Sequence, residues 1–304
     1  MGTQLGEPVS VDAIGLPGGS VARRGSRSWR LPFRGDVLSR VGLFILLVFV
    51  LVSVFGRWLP LGDAEAVNAG PRLAAPSGHW WAGTDSLGRS VLPRLVQGVG
   101  TTFVLAGIAV LVTAVISVVI GMVAAYYRGV VGEVIVRGAD VLFAFPSLLL
   151  AILLVAITGP GMTGALVSIV LICSPLMVRV VRAASLSVVG RDFVVAARVG
   201  GASPVRVLAV HVLPNVAGAA VVQATYALSV GMLIESGLSF LGLGLQPPKA
   251  SLGSLVHEGA VYLPIAPWLV LIPGGLLALA IMAVNLVGDG LRDALDVRGV
   301  EVRR

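Results

Sequence analysis

Four stretches of this chain carry no charge: residues 95–127, 141–178, 212–234 and 259–288, with histidine counted as neutral. A bilayer core about 30 Å thick is crossed by roughly 20 apolar residues of helix. Inside it every backbone N–H and C=O must find a partner within the protein, which leaves helices or closed barrels. Apolar runs this long indicate helices. Residues 141–178 exceed one span and are interrupted at Thr158-Gly159-Pro160-Gly161, so they read as two spans joined by a tight outer turn. Adding Val41 to Phe55, with Trp58 at the interface, predicts an all-α polytopic membrane protein of six transmembrane helices. At 57% hydrophobic and 12% charged residues the chain is far from a soluble globular composition.

The net charge of +7 raises the question of nucleic acid, and its placement answers it. With the amino terminus inside, the inner segments hold Arg23, Arg24, Arg27, Arg30, Arg34, Arg40, Arg128, Arg137, Arg179, Arg182, Arg191, Arg198, Arg206, Arg292, Arg298, Arg303 and Arg304. The outer segments hold only Arg57, Arg72, Arg89, Arg94 and Lys249. That asymmetry is the positive-inside pattern, so the charge sets orientation and puts both termini in the cytoplasm. No nucleic-acid partner is expected. Arginine outnumbers lysine 21 to 1, a bias of GC-rich bacterial genomes. The single cysteine, Cys173, lies in a span and reads as packing. About 36 mostly polar residues precede the first apolar run, too many for the n-region of a signal peptide, so the first helix is expected to stay.

Residues 1–36 lack periodicity and read as a disordered tail. Its basic stretch, Arg23 to Arg40, either lies on anionic lipid headgroups or serves only as a topology signal. Thr84 and Asp85 are placed to cap a short helix leading along the surface into a second span over Thr101 to Tyr126, with Trp80 and Trp81 in the interfacial belt. His79 and Asp85 have no partners at metal-ligand spacing. An inner loop over 128–138 should precede a third span from Ala139, whose N-terminal end would hold Asp140. Pro146 and Pro175 should break the third and fourth helices, and Arg179 and Arg182 end the fourth. The fifth, Val216 to Leu238, is lined with small residues, which suits the bundle interior or a subunit interface. A buried acid costs about as much as the aliphatics of that segment contribute, so Glu235 should face protein or water. It then either lines a translocation path or makes a structural hydrogen bond. The outer segment 242–259 is rich in turns, and the sixth helix, Pro267 to Gly288, should break at Pro273-Gly274-Gly275.

Between the fourth and fifth spans lies the longest polar interruption, Asp192 to Asn215 (DFVVAARVGGASPVRVLAVHVLPN). Phe193, Ala196, Ala197 and Gly200 share one helical face. Gly200-Gly201 stop that helix. Ser203-Pro204 supply an N-cap and a first-turn proline for the next, and Pro214-Asn215 close the unit. By its local grammar this is either an ordinary interhelical loop or a basic hairpin shaped to be gripped from outside.

The two alanines, three residues, Gly201 and a short helix ending Leu213-Pro214 resemble the EAA loop of ATP-binding-cassette importer permeases. GTDSLGR (83–89), LSFLGLGLQPP (238–248), APW (266–268) and GDGLRDALD (288–296) are similar to the dipeptide, oligopeptide and nickel importer permeases, in particular the second of their two permease subunits. Ser90, Val195, Leu252 and Val297 stand where that family commonly has Asp, Glu, Trp and Pro. Val195 puts in question an ion pair to the ATPase from that position, but not docking.

The resemblance implies the type I importer permease fold, divided as a cytoplasmic tail (1–36), the first helix with its outer segment (37–97), a transmembrane type-1 domain (98–290) containing the coupling loop 184–215, and a cytoplasmic tail (291–304). It further implies a homologous permease, two ATPase subunits and an extracytoplasmic binding protein in a bacterial cytoplasmic membrane. ATPase docking would fall on Phe193, Ala196, Ala197, Arg198, Gly200, Gly201, Ala202, Ser203 and Pro204. Cargo would be a short peptide, with nickel or another small ligand as the alternative.

The residues exclude other engines. A P-loop requires a lysine after its glycines, and the only lysine is Lys249, in QPPKAS. No H-E-x-x-H or G-x-S-x-G occurs, and His79, His211 and His257 share no site, so an enzyme is not expected. The chain should bind no cofactor, ATP and Mg²⁺ being used by partner subunits. A self-sufficient channel or ion-coupled transporter is the competing class, yet such coupling usually leaves ionisable groups in mid-membrane. Only Asp140 and Glu235 come near.

Overall fold

The computed structural model of the chain describes Gly2 and residues 37–127 and 129–301. The expected disorder of the amino-terminal tail and the lipid contact of its arginines before position 37 lie outside the described residues.

Ten helices follow one another among these residues: α1 (Val37–Phe55), α2 (Val91–Tyr126), α3 (Val130–Phe143), α4 (Ser147–Thr158), α5 (Met162–Val189), α6 (Asp192–Val199), α7 (Pro204–Arg206), α8 (Leu213–Phe240), α9 (Leu252–Ala260) and α10 (Trp268–Glu301). Five continuous helical segments, Val37–Trp58, Val91–Tyr126, Met162–Val189, Pro204–Phe240 and Trp268–Leu295, are long and apolar enough to cross a membrane. The sixth span is the pair α3 and α4, bent by 94°. The bend falls at Phe145-Pro146 because proline lacks an N–H to donate and disfavours helical backbone in the residue before it. The outer turn at Gly159 and Gly161 uses positive φ values of 88° and 125°.

Several boundaries differ from the expectation, and most of them for one reason: paired charges do not end helices. The second span starts at Val91, ten residues before Thr101, because Arg94 is neutralised within the fold. The short capped helix before it is replaced by a turn, in which Asp85 Oδ1 accepts from the N–H groups of Leu87 and Arg89 at 2.8 and 2.9 Å. Thr84 Oγ1 instead accepts from the Ala74 N–H and donates to the Pro71 carbonyl. The expected inner loop 128–138 is mostly helix α3, on which Arg137 and Glu133 pair at 2.6 Å across one turn. Asp140 therefore sits near the C-terminal end of α3, not at an N-terminus, and it pairs with Arg179. Within the stretch expected to be rich in turns, 252–260 is helix α9, started by a reciprocal capping box of Ser251 and Ser254.

Two prolines bend nothing as sharply as predicted. Pro273 lies inside a continuous α10, and Pro175 inside a continuous α5. At the inner hairpin, Pro214-Asn215 do not close the unit: the helix runs on from Pro204 to Phe240 through a π-helical turn at Val207–Val212. Asn215 Nδ2 donates to the His211 carbonyl one turn earlier at 2.7 Å.

The bundle is centred on α2, α5 and α8. Leu105, Ala109, Ile169 and Ala227 are buried together there. The small residues of α8 allow this approach. A Cβ at Gly231 would lie 3.1 Å from Ile169, and Gly288 of α10 sits against Thr225. The opposite face of α8 leaves Val221, Tyr226 and Leu233 exposed.

Candidate functional site

Four features bring chemistry-bearing residues together. The first is the inner hairpin. The one fully buried residue of α6 is Val194, packed with Val188, Val189, Val207 and Val212. The face predicted from spacing is turned outward: Phe193, Ala196 and Gly200 are exposed and Ala197 and Arg198 half-buried. Gly200 ends the helix and Gly201 follows at φ +81°, a conformation that favours glycine. A Cβ at Gly201 would meet no other atom, so its requirement is backbone geometry and not space for a methyl group. Ser203 Oγ accepts from the Arg206 N–H, with Pro204 at the first helical position. The Arg198 guanidinium stacks over the Tyr126 ring, 4.3 Å from its centroid, which fixes α6 to the inner end of α2. Ala202 is half-buried behind the turn, while Ser203 and Pro204 are exposed. The hairpin thus offers Phe193, Val195, Val199 and Val205 as an uncovered apolar surface around a rigid glycine turn.

The second is Glu235, with no exposed surface at all. Ser239 donates to its Oε1 at 2.7 Å, and Thr102 donates to Oε2 at 3.2 Å. Ser236 Oγ lies 3.3 Å from the same Oε2. Thr102 Oγ1 in turn accepts from the Leu252 N–H at the start of α9. Glu235 makes the structural hydrogen bonds that were one of its two sequence readings. It joins α2, α8 and α9.

The third was not visible in the sequence as a unit. Arg94, 3% exposed at its side chain, donates Nη1 and Nη2 to Glu258 at 2.7 and 2.9 Å, and Nη1 also to Asp85 at 3.1 Å. Arg89 bridges the same carboxylates, with Nε 2.6 Å from Asp85 and Nη2 3.0 Å from Glu258. The Asp85 carboxylate is thus taken up by two guanidinium groups. Arg94 and Glu258 were missed because they are 164 residues apart. The GTDSLGR motif did mark the place.

The fourth is a cavity of about 280 Å³ halfway along α8, under the α3–α4 bend. Phe143, Phe145, Leu176, Gln223 and Tyr226 are among its walls. Sequence reasoning missed this too, although one signal was available: Gln223 is the only side-chain amide in the uncharged run 212–234 apart from Asn215 at its end.

A family model described as the binding-protein-dependent transport system inner membrane component matches residues 117–299. The chain is similar to the dipeptide transport system permease protein DppC of Alkalihalophilus pseudofirmus, 36% identical over 271 residues, 88% of this chain and 89% of the relative. It is 36% identical over 261 residues to the di/tripeptide transport system permease protein DppC of Pseudomonas aeruginosa, covering 84% and 86% of the two chains. It is 37% identical over 269 residues to the glutathione transport system permease protein GsiD of Pectobacterium atrosepticum, covering 88% and 89%. Among solved structures it resembles the MetNI methionine ABC transporter in an inward-facing conformation, with a TM-score of 0.55 at 20% identity over 67% of this chain and 97% of that one.

Proposed function

The chain belongs to the binding-protein-dependent transport system inner membrane components, the permeases of ATP-binding-cassette importers, and has their type I fold; from this we propose that it forms half of a peptide-translocating channel, paired with a homologous permease. Short peptides are favoured as cargo because relatives 36% identical are named for dipeptide and di/tripeptide transport. The assembly includes two ATPase subunits on the inner hairpin and an extracytoplasmic binding protein that delivers the peptide. It resides in a bacterial cytoplasmic membrane with both termini inside, as the arginine asymmetry suggests. The chain itself is no enzyme. Partner subunits bind ATP and Mg²⁺ and hydrolyse the nucleotide.

The observation that carries this reading is the hairpin: an outward apolar face at Phe193, Val195 and Val199, set on one buried valine and turned by Gly201. Closure of the ATPases pushes α6. Val194 and the Arg198–Tyr126 stack pass the push to α5 and α2, and the helices rotate as rigid bodies between outward and inward openings. Val195 makes that contact apolar where the family commonly has a glutamate.

Gly201→Trp and Ala197→Asp should each abolish peptide uptake and peptide-stimulated ATP hydrolysis by the assembled importer, with the amount of protein in the membrane unchanged. Normal uptake in both variants would refute the docking assignment.

A further inference from the structure

The cavity beneath the α3–α4 bend has features that packing alone does not account for. It lies at Tyr226, midway along α8, where the surrounding span is apolar. The side chains of Gln223 and Tyr226 border it, and neither makes a hydrogen bond to any described residue. An amide left without partners in hydrocarbon is costly, so a mid-span amide faces protein or water. The backbone at Ala144-Phe145-Pro146 is also irregular, and irregular backbone at membrane depth is tolerated where it is buried in protein or lines an aqueous cavity. Both observations point away from lipid as the occupant.

The lining also restricts what enters. No charged residue is among the walls, and the Asp140–Arg179 pair next to Phe143 satisfies itself. Cys173 is the only thiol, and no imidazole or carboxylate accompanies it, so a metal ion would find no ligand set. What remains is one amide, one phenol, the Ser147 hydroxyl, and aromatic and aliphatic surface from residues such as Phe143, Phe145 and Leu176. A side-chain amide offers a donor and an acceptor to a peptide bond, and a phenol offers either. Apolar walls accept side chains without selecting a charge.

We propose that this cavity is a cargo-contacting station on the translocation path, where Gln223 and Tyr226 hydrogen-bond the backbone amide of a passing peptide and Phe143 and Phe145 receive an apolar side chain. The assignment rests on the peptide reading above and adds the residues that meet the peptide within the membrane.

The test uses the complete importer in proteoliposomes with two probes, the dipeptides Ala-Ala and Ala-Phe. Gln223→Leu and Tyr226→Phe preserve size and remove hydrogen bonds. Each should lower uptake of both dipeptides by about tenfold, while ATP hydrolysis stimulated by loaded binding protein stays at its original rate. Phe143→Ala should impair Ala-Phe more than Ala-Ala. A second measurement places Gln223→Cys in a Cys173→Ala background. A water-soluble thiol reagent should label it during turnover, and saturating dipeptide should slow that labelling. Unchanged uptake in both polar variants overturns the proposal and leaves the importer assignment standing. So does a position 223 closed to the reagent throughout the cycle, which would mean that lipid or the second permease fills the cavity. A wild-type importer that moves neither dipeptide overturns the peptide reading and this proposal with it.

Discussion

Glu235 shows how one acid is kept in an apolar helix. Its two oxygens share Ser239, Thr102 and Ser236, and Thr102 relays the connection to the first N–H of α9. Removing a buried acceptor leaves donors unsatisfied and opens a void, and the two effects add. Glu235→Ala should therefore destabilise the protein by about 3 kcal/mol, measured as a lower unfolding midpoint in detergent. Glu235→Gln retains an acceptor and should lose much less, with dipeptide uptake close to wild type. Equal and complete loss of transport in both, at normal stability, would place Glu235 on the path. From the sequence, the demand that this acid face protein or water was legible. Ser239, four residues on along the same helix, was within reach by spacing, whereas Thr102 lies on α2, 133 residues away, and nothing local marks it as a partner.

At the level of elements, α9 and the outer segment 59–90 are held to the bundle by charge and by close backbone contact. Gly253 lies so near Ser236 that a Cβ would be 2.5 Å from its Cα. The Arg94 and Arg89 pairs with Asp85 and Glu258 then join the turn at 83–90, helix α2 and helix α9. Arg94→Leu removes the central cation. Arg89 still reaches both carboxylates and Glu258 is part-exposed, so the loss should be about 2 kcal/mol, short of that for a fully buried pair. The expected sign is faster proteolysis within 59–90 from the outer side, with the hairpin at 192–206 as resistant as before. Unchanged cleavage would show that backbone packing alone suffices. The same pairings explain where helix ends were misread: Arg94, Glu133 and Arg137 look like membrane boundaries in a hydropathy reading, yet each lies on a helix.

For the whole molecule, the distribution of burial matters. Half of the most apolar part of α5 is buried, against 17% for the segment of α1. The first helix is thus peripheral, and α5 is central. Tyr226, Leu233 and Phe145 are large exposed side chains on α8 and at the α3–α4 bend. With Lys249 as the sole lysine, the chain has no P-loop to drive any movement. Purified alone into liposomes, it should take up no dipeptide above leak, with or without ATP, and uptake should appear only with the ATPases, the second permease and the binding protein. Vectorial uptake by the isolated chain would overturn the importer assignment.

Uncharged runs by themselves determined the helical class, because hydrocarbon leaves few other ways to pair a backbone. Local rules also placed the hairpin: Gly201 had to turn, and Ser203-Pro204 had to start the next helix. Tertiary structure alone decided which charges vanish into pairs, that Pro273 and Pro175 leave their helices continuous, and that Gln223 and Phe143 border one cavity. Those outcomes depend on groups far apart in the chain, where pairing energy and packing outweigh the preference of any single residue.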